Sequence, residues 1–249
     1  MGKKLAVLIL AAGKGKRLGG QSQKVVRTLL GKPLLLYLLE TIDSLHPQRI
    51  VLIVGYKKEE VFAQLKERKV EYAEQNLPKG TGHAVMQASS ILKEYSGDIL
   101  ILCGDVPFIT ISTLRKLLEK HKKSGNCGTI LTVVMENPFG YGRIKRNGKG
   151  SVKSIIEEIN ATGEEKEIKE INAGIYVFDK MELFKALNDV VPDKVKGELY
   201  LTDVVEILSS SGKKIDTHTT DKPEECLGIN TLEDMIKAET FLKKEKMNE

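Results

Sequence analysis

The chain of 249 residues lacks tryptophan and has few aromatic residues (5%) and only three cysteines. Proteins that bind single-stranded nucleic acid stack bases on aromatic side chains, so this composition argues against that class. Cys103, Cys127 and Cys226 have no metal or redox spacing, which predicts reduced, structural cysteines. The sequence shows no signal peptide and no apolar run long enough to span a bilayer. These absences predict a soluble, cytoplasmic protein with no membrane partner.

Acidic residues are absent from the first 32 positions, which contain eight basic residues. The rest of the chain has 31 basic and 34 acidic residues, so the net charge of +5 is a local feature of the N-terminal region. Nucleic-acid-binding proteins more often distribute Lys and Arg along a face. The charge pattern therefore favours a compact anionic ligand and predicts no nucleic-acid partner.

Short apolar segments alternate with helix-like segments through the first half of the chain. The predicted strands are Leu5–Leu10, Ile50–Val54, Val70–Ala73, Ile99–Leu102 and Thr129–Val134, and the predicted helices are Pro33–Leu45, Lys58–Lys66, Gly82–Leu92 and Ile111–Lys123. This alternation is typical of βαβ units. It predicts an α/β fold, with a Rossmann-like, mainly parallel sheet flanked by helices.

The pattern changes near Asn137, where turn residues separate shorter strands. The segments predicted here are strands Arg143–Arg146, Val152–Glu157 and Ile171–Phe178, a charged loop or hairpin tip at Glu164–Glu170, and helices Lys180–Asp189 and Leu199–Ser209. They predict a small antiparallel insertion followed by a return to the main sheet. A terminal helix is predicted to place Leu232, Met235, Ile236, Phe241 and Leu242 mostly on one face.

A glycine-rich basic turn, Gly13-Lys14-Gly15-Lys16-Arg17, follows the first predicted strand. It is not a P-loop, because no Gly-Lys pair in the required frame precedes Ser or Thr. A dinucleotide fingerprint is disfavoured, because Leu18 stands where the third glycine is needed. Two interpretations remain: a loop whose backbone wraps a triphosphate while Arg17 and Lys24 neutralise it, or a solvated basic turn.

Asp105 follows an apolar predicted strand and is expected at its carboxyl end, where open α/β sheets bind ligands. Carboxylate oxygens suit a hard cation such as Mg²⁺, although a turn aspartate between Gly104 and Pro107 is the alternative. Asn230 precedes Thr231 and also fits a helix start. None of the four histidines has a partner in sequence, so His83 is expected to be structural or capping.

Several segments in this order resemble the sugar-1-phosphate nucleotidyltransferases. They are Leu10-Ala11-Ala12-Gly13-Lys14-Gly15 with Arg17 and Lys24, Gly31-Lys32-Pro33, Gln75 with Gly80–Ala84, Gly104–Pro107, Gly140–Ile144, Glu157, Glu170–Gly174, Gly197–Asp203 and Gly228–Asn230. The resemblance covers nearly the whole chain and is strongest to the N-terminal uridyltransferase domain of bifunctional N-acetylglucosamine-1-phosphate uridyltransferases. It implies a nucleotide-diphospho-sugar transferase fold and synthesis of UDP-N-acetylglucosamine from UTP and N-acetylglucosamine-1-phosphate.

The resemblance also implies a role for each matching residue. Arg17 and Lys24 would be catalytic, and Asp105 and Asn230 would hold Mg²⁺. The substrate-binding residues would be Leu10, Ala11, Ala12, Gly13, Gln75, Gly80, Thr81, Gly104, Gly142, Glu157 and Asn172. For Glu157, a solvated acidic pair with Glu158 is the alternative. The activity could also use another sugar-1-phosphate or nucleoside triphosphate, or the chain could be a catalytically silent nucleotide-sugar sensor.

Three features of the sequence depart from the family pattern. Gln23 stands where a proline is usual, which predicts a less rigid loop. The segment after Glu157 lacks a common basic residue, and Cys103 replaces a common aromatic residue. The sequence also has no hexapeptide repeat. It therefore predicts a nucleotidyltransferase domain at 1–230, a C-terminal helix at 231–249 without a left-handed β-helix, and a monomer or weak dimer.

Overall fold

The computed structural model describes residues 4–15, 18 and 22–247, with side chains described through residue 243. The helices are α1 (Leu34–Asp43), α2 (Lys58–Gln64), α3 (Thr81–Met86), α4 (Ile111–Ser124), α5 (Gly163–Lys166), α6 (Lys180–Leu187), α7 (Asp203–Ser210) and α8 (Leu232–Met247). The strands are β1 (Leu5–Ala11), β2 (Thr28–Leu29), β3 (Lys32–Pro33), β4 (Arg49–Val54), β5 (Glu71–Glu74), β6 (Asp98–Cys103), β7 (Gly128–Val134), β8 (Arg143–Arg146), β9 (Val152–Ile156), β10 (Glu170–Asp179) and β11 (Ile215–Thr220).

The main sheet has the strand order β11-β7-β10-β6-β1-β4-β5. Strands β6, β1, β4 and β5 are parallel neighbours, whereas β10 runs antiparallel between β6 and β7. The β8–β9 hairpin attaches to β10, and β11 pairs in parallel with β7. This topology confirms the predicted α/β sheet with a small antiparallel insertion.

Helices cover both faces of the sheet, and the side chains of β1 pack on both sides. Alternate side chains of a strand point to opposite faces. Ala6 and Leu8 pack in a core with residues of α3, α6 and α7, while Val7 and Ile9 pack in a second core with residues of α1, α2 and α4. The apolar composition of β1 therefore follows from burial on both sides.

The structure corrects several predicted boundaries. The charged segment Glu164–Glu170 begins in a short helix, α5, because Thr162 and Glu165 form a reciprocal capping box at its start. The helix predicted from Leu199 begins only at Asp203. Strand β11 and the short β2–β3 pair were not predicted, since neither has a long apolar run.

The C-terminal helix α8 differs from its predicted amphipathic pattern. Met235 and Leu242 pack near the buried Ala238, and Phe241 lies 5.1 Å from Phe108 between ring centroids. Leu232 and Ile236, predicted on the buried face, are instead 64% and 66% exposed. Ala238 lies on the buried face of α8. This face is therefore rotated about the helix axis from the face predicted from the larger apolar residues. Across the described residues, no helix could cross a membrane.

Candidate active site

The carboxyl ends of four parallel strands define the site. Leu10 of β1 is paired with Cys103 of β6, and the Gly104 N–H donates to the Leu10 carbonyl at 2.9 Å, which extends the pairing beyond the strands. On the other side, β1 pairs with β4 and β4 with β5 up to Val54 and Glu74. The turn after β1, the loop after β6 and the residue after β5 thus lie along one sheet edge, where open α/β sheets bind ligands.

Lys24, Asp105 and Asn230 meet at this edge. Lys24 begins a 3-10 turn, and its ammonium forms a salt bridge with Asp105 Oδ2 and donates to Asn230 Oδ1 at 2.7 Å. The Lys24 and Asp105 side chains are only 12% and 20% exposed. Because solvent screens partly buried charges weakly, the positive and negative groups interact strongly here.

The Asn230 carboxamide is oriented by its own loop. Its Nδ2 donates to the Gly228 carbonyl at 3.0 Å, which turns Oδ1 towards Lys24. The Ile229 N–H donates to the Asp105 carbonyl at 2.9 Å, so the loop is joined to the end of β6. Asp234 accepts from the Asn230 N–H at 2.8 Å and thereby ties the loop to α8.

The helix-start alternative for Asn230 is not what the structure shows. Thr231 caps α8, since its hydroxyl accepts from the Asp234 N–H at 3.1 Å and Asp234 accepts from the Thr231 N–H at 2.9 Å. This reciprocal Thr-x-x-Asp pattern is a local sequence signal for the start of α8. It leaves the Asn230 side chain to face Lys24 and Asp105.

The chemistry of the Asp105–Asn230 pair fits a divalent cation. One carboxylate and one amide oxygen converge on the same cationic group, the Lys24 ammonium. Mg²⁺ prefers such oxygens and usually takes few protein ligands, because water and substrate phosphates complete its shell. Among the described residues there is no group of three or more His, Cys, Asp and Glu residues that could hold a metal ion. Any metal here would therefore take most of its oxygens from water or from the substrate.

Two cavities meet at this pair of oxygens. The smaller, of about 210 Å³, is lined by Leu10, Ala11, Gly13, Gly15, Gln23, Lys24, Val25, Asp105 and Asn230. The larger, of about 760 Å³, includes Cys103, Asp105, Tyr141, Asn172, Gly174, Asn230 and Asp234 in its wall. Asp105 and Asn230 line both cavities, so a group bound in either one reaches the same two side chains.

Two of the predicted substrate-binding residues near the smaller cavity do not line it, namely Ala12 and Gly104. Ala12 packs into a core cluster instead, and Gly104 lies where the β6 end meets β1. Arg17 lies outside the described residues, so its role stays a prediction. Gly15 has φ +56°, and a Cβ there would come within 3.0 Å of the Lys24 Cβ, so the turn passes close to Lys24.

Gln75, Gly80 and Thr81 form a separate cluster at the end of β5. Gln75 is buried, and its Nε2 donates to the Gly80 carbonyl at 2.9 Å. Gly80 has φ +104°, and a Cβ there would overlap the Leu199 backbone, so only glycine fits. The Thr81 hydroxyl accepts from the Leu201 N–H at 3.0 Å. These three residues do not line either of the two cavities described above.

His83 has the structural role predicted for it, with a partner that the sequence did not reveal. Its Nδ1 lies 3.0 Å from Gln75 Nε2, where it accepts a hydrogen bond from the carboxamide. Burial and the nearby Lys79 charge lower the pKa of His83, which favours the neutral ring that can accept. His83 therefore orients Gln75.

Asn172 and Gly142 are brought together, and Glu157 follows Ile156, which pairs with Arg143 next to Gly142. Asn172 lines the larger cavity, and its N–H donates to the Gly142 carbonyl at 2.9 Å. Its side chain donates to the Tyr176 hydroxyl at 2.6 Å, which fixes the carboxamide. Glu157 accepts from the Thr202 hydroxyl at 2.8 Å at the start of α7, and neither it nor Gly142 lines the larger cavity.

Glu158 is not part of a solvated acidic pair. Its Oε2 accepts from Arg143 Nη2 at 2.7 Å and from the Gly140 N–H at 3.2 Å. Burial opposes its charge, but these hydrogen bonds together hold the pKa of Glu158 below its ordinary value. Arg143 is 1% exposed and also donates to the Tyr141 carbonyl, so the pair fixes the loop beside the larger cavity. Arg143 begins β8, whose sequence Arg-Ile-Lys-Arg is mostly charged, so the sequence held no signal that this residue would be buried.

Cys103 forms part of the larger cavity's wall, with its Sγ 3.9 Å from the Gly174 carbonyl. Burial and the nearby Asp105 carboxylate raise the pKa of the Cys103 thiol to about 12. The thiol is therefore protonated and a poor nucleophile at neutral pH. All three cysteines are free, in agreement with the prediction of reduced cysteines.

Asp203, at the start of α7, should make stability depend on pH. Burial, followed by the charges of Glu157, Asp193 and Glu206, raises the pKa of Asp203 to about 6. The native state therefore keeps a proton that the unfolded chain releases, so the unfolding free energy falls as pH rises from about 4 to about 6. We therefore compare the unfolding free energy of Asp203→Asn with that of the wild type. The difference should shift in favour of the variant by roughly 0.5–1 kcal/mol from about pH 5 to about pH 7, a modest value because solvent screens this partly exposed group.

Urea unfolding of both proteins at the two pH values measures this gain. Asp189→Asn, which removes a carboxylate from an exposed position, controls for the general effect of charge. An equal difference between Asp203→Asn and the wild type at both pH values would contradict the shifted pKa.

A mostly parallel sheet that carries a glycine-rich turn, a lysine and a carboxylate–amide pair at its carboxyl edge is typical of enzymes that transfer nucleotidyl groups. The model of the Nucleotidyl transferase family matches residues 6–244, and the chain belongs to this family. This finding confirms the resemblance found in the sequence and the expectation of an enzyme of nucleotidyltransferase type.

Curated relatives extend the comparison. The bifunctional protein GlmU of Caldicellulosiruptor saccharolyticus is 44% identical over 244 residues, which cover 98% of this chain and 53% of the relative. The bifunctional protein GlmU of Thermoanaerobacter pseudethanolicus is 45% identical over 240 residues, which cover 96% of this chain and 52% of the relative. The chain thus spans about half the length of the curated relatives that it matches.

Among solved structures, the crystal structure of UDP-glucose pyrophosphorylase complexed with UDP-glucose superposes with a TM-score of 0.77. The match covers 98% of this chain and 100% of that chain, at 18% sequence identity. The apo form of UDP-glucose pyrophosphorylase gives a TM-score of 0.78. At this identity the likeness establishes the fold alone.

Proposed function

We propose that the chain transfers a uridylyl group from UTP to N-acetylglucosamine-1-phosphate, giving UDP-N-acetylglucosamine and pyrophosphate. The observation that carries the proposal is the convergence of Asp105, Asn230 and Lys24 where the two cavities meet. A reaction between two phosphate-bearing substrates needs one place where both negative groups are neutralised. The relatives named GlmU support the choice of substrates.

The two cavities suggest which substrate binds where. In our proposal the triphosphate lies along the turn from Leu10 to Gly15, whose backbone amides suit anionic oxygens. The base would lie beyond it at Gln75, Gly80 and Thr81, since a carboxamide can both donate to and accept from a pyrimidine edge. The sugar would occupy the larger cavity near Asn172.

The chemistry needs no covalent intermediate. An oxygen of the sugar phosphate attacks the α-phosphorus of UTP in line, and the bond to pyrophosphate breaks. Lys24 donates to the phosphate oxygens and holds them in position, while Arg17 is assigned by the resemblance to the departing pyrophosphate. Catalysis then comes from positioning and charge neutralisation. Asp105 and Asn230 would hold a divalent cation, proposed to be Mg²⁺, which when bound adds positive charge beside the phosphates.

The remaining predictions belong to the same proposal. They are a nucleotidyltransferase domain at 1–230 followed by a C-terminal helix, a monomer or weak dimer, a cytoplasmic location, and no nucleic-acid or membrane partner. Glu157 and Gly142 stay predicted sugar-binding residues, supported by the hydrogen bond between Gly142 and Asn172.

A panel of nucleoside triphosphates and sugar-1-phosphates tests the proposed function. We expect pyrophosphate release to be fastest with UTP and N-acetylglucosamine-1-phosphate, by about tenfold or more over glucose-1-phosphate, because a pocket that pairs with a polar substituent rejects its absence. Product masses identify the UDP-sugar, and Asp105→Asn provides the inactive control. A faster reaction with another pair would contradict the substrate assignment, and UTP binding without product would favour a sensor.

A further inference from the structure

Gln23, where the family usually has proline, has a fully buried side chain immediately before the 3-10 turn that carries Lys24. Its Nε2 donates to the Ala11 carbonyl and lies 3.5 Å from the Gly13 carbonyl. Its Oε1 accepts from the Val25 N–H at 2.6 Å. The carboxamide thus satisfies backbone groups on both sides of the turn. These bonds join the described residues on the two sides of the loop, and the lower rigidity inferred from the missing proline stays a prediction.

The backbone of Gln23 is held as well. Its N–H donates to Glu60 Oε2 at 2.6 Å, and Glu60 belongs to α2, which packs in the core beneath β1. Proline has no N–H and could not make this bond. Gln23 and Glu60 therefore act together, because each contributes to anchoring the turn to the helix layer.

The contacts of Gln23 join two parts of one cavity. Ala11 and Gly13 line one wall, and Lys24, next to Gln23 in sequence, reaches into the cavity towards Asp105 and Asn230. Val25 follows Lys24 in the same 3-10 turn. A single side chain therefore sets the distance between the turn carbonyls and the backbone that presents the Lys24 ammonium.

We propose that Gln23 is a positioning residue, which with Glu60 holds Lys24 in register with the Ala11–Gly13 backbone for the transfer reaction. This role rests on the proposed function for the reaction that it serves. Gln23 touches no reacting atom in this scheme and acts through Lys24. A purely structural role would predict lower stability with unchanged turnover, whereas a positioning role predicts that turnover falls.

Gln23→Met tests the proposal, because methionine has a similar length but makes none of the hydrogen bonds. Thr129→Val is the matched control: Thr129 is fully buried, bonds to His121 at 2.9 Å, and lies at the start of β7, away from the carboxyl edge. We expect Gln23→Met to lower kcat by about 10- to 100-fold with the KM for UTP changed by less than about threefold, since small misplacements of a catalytic group are costly. Thr129→Val should keep kcat within about twofold of the wild type while losing a comparable amount of stability.

A second readout does not depend on activity. Brief acetylation with acetic anhydride, followed by mass spectrometry, measures how accessible the Lys24 amine is. Gln23→Met should increase labelling of Lys24 by about threefold or more, because a displaced ammonium leaves its bonds to Asp105 and Asn230. Unchanged Lys24 labelling, or a kcat equal to that of the wild type, would overturn the proposal. If the wild type makes no UDP-sugar, the proposed function fails while the labelling still decides the role of Gln23.

Glu60 provides a variant that leaves the buried carboxamide in place. Glu60→Ala removes the acceptor for the Gln23 N–H, whereas Glu60→Gln keeps an oxygen that can accept it. We expect Glu60→Ala to lower kcat by about two- to fivefold and Glu60→Gln to restore at least half of the wild-type value. Equal kcat values for the two variants would contradict the coupling between Glu60 and Gln23.

Discussion

Asp105→Asn is expected to lower kcat by about a hundred- to a thousandfold, because it removes a charge that the reaction centre depends on. The substitution keeps the shape of the side chain and one oxygen that can accept from Lys24. Only the negative charge is lost, at a group that lines both cavities. Steady-state pyrophosphate release, measured over a wide range of Mg²⁺ concentrations, gives the size of the loss.

The cause of this loss can be separated from a loss of folding. Asp105 is anchored by its backbone, whose carbonyl accepts from the Ile229 N–H at 2.9 Å, and this bond survives the substitution. We therefore expect the free energy of unfolding to change by less than about 2 kcal/mol. Higher Mg²⁺ concentrations should recover part of the activity, because the variant binds the cation more weakly.

Asp216→Asn is the matched control for this experiment. Asp216 pairs with Lys120 at 3.4 Å on the surface, where a single ion pair contributes little. The same change of chemistry there should leave kcat within about twofold of the wild type. A kcat for Asp105→Asn above half of the wild-type value would show that Asp105 does not hold the cation.

The sheet was predictable because its information is local. A strand covered on both faces needs an unbroken apolar run, and β1, β4 and β6 all have one. Alternation with helices then fixes parallel pairing, and parallel pairing brings the residue after each strand to one edge. The location of Asp105 near the glycine-rich turn follows from this reasoning without any knowledge of tertiary contacts.

The detailed contacts of the site were not predictable in the same way. The Lys24–Asn230 bond joins residues 206 positions apart, and its geometry depends on how the loop before α8 docks on Asp105. The sequence identifies Gln23 as a departure from proline, but the bond from its N–H depends on where Glu60 lies in α2. In sequence Glu158 is one of two neighbouring acids, and its partner, Arg143, lies in β8, 15 residues earlier. Side-chain pairing across distant segments has no local signature.

Lys24→Ala is expected to change two measurable properties in opposite directions. Lys24 neutralises phosphate charge in the proposed reaction, so its loss should lower kcat by about a hundredfold or more. In the described structure the same ammonium bonds to Asp105 and Asn230, the two proposed metal ligands. Without it, the two oxygens lose a competing cation, and the nucleotide-free protein should bind a divalent cation more tightly.

Electron paramagnetic resonance of Mn²⁺, titrated without nucleotide, measures this second effect. We expect the dissociation constant for Mn²⁺ to fall by about three- to tenfold in Lys24→Ala, because a positive charge beside the ligands has been removed. Lys58→Ala is the matched control, since Lys58 pairs with Glu74 at 2.6 Å on the exposed surface. It should change neither kcat nor the Mn²⁺ affinity by more than about twofold.

The combination of results identifies the role of Lys24 more sharply than either alone. A fall in kcat with unchanged Mn²⁺ affinity would mean that the cation does not share Asp105 and Asn230 with the ammonium. Tighter Mn²⁺ binding with unchanged kcat would mean that Lys24 only occupies the metal ligands and does not act on the phosphates. Both changes together are expected if one ammonium first pairs with the oxygens and then, displaced from them, reaches the substrate phosphates in the smaller cavity.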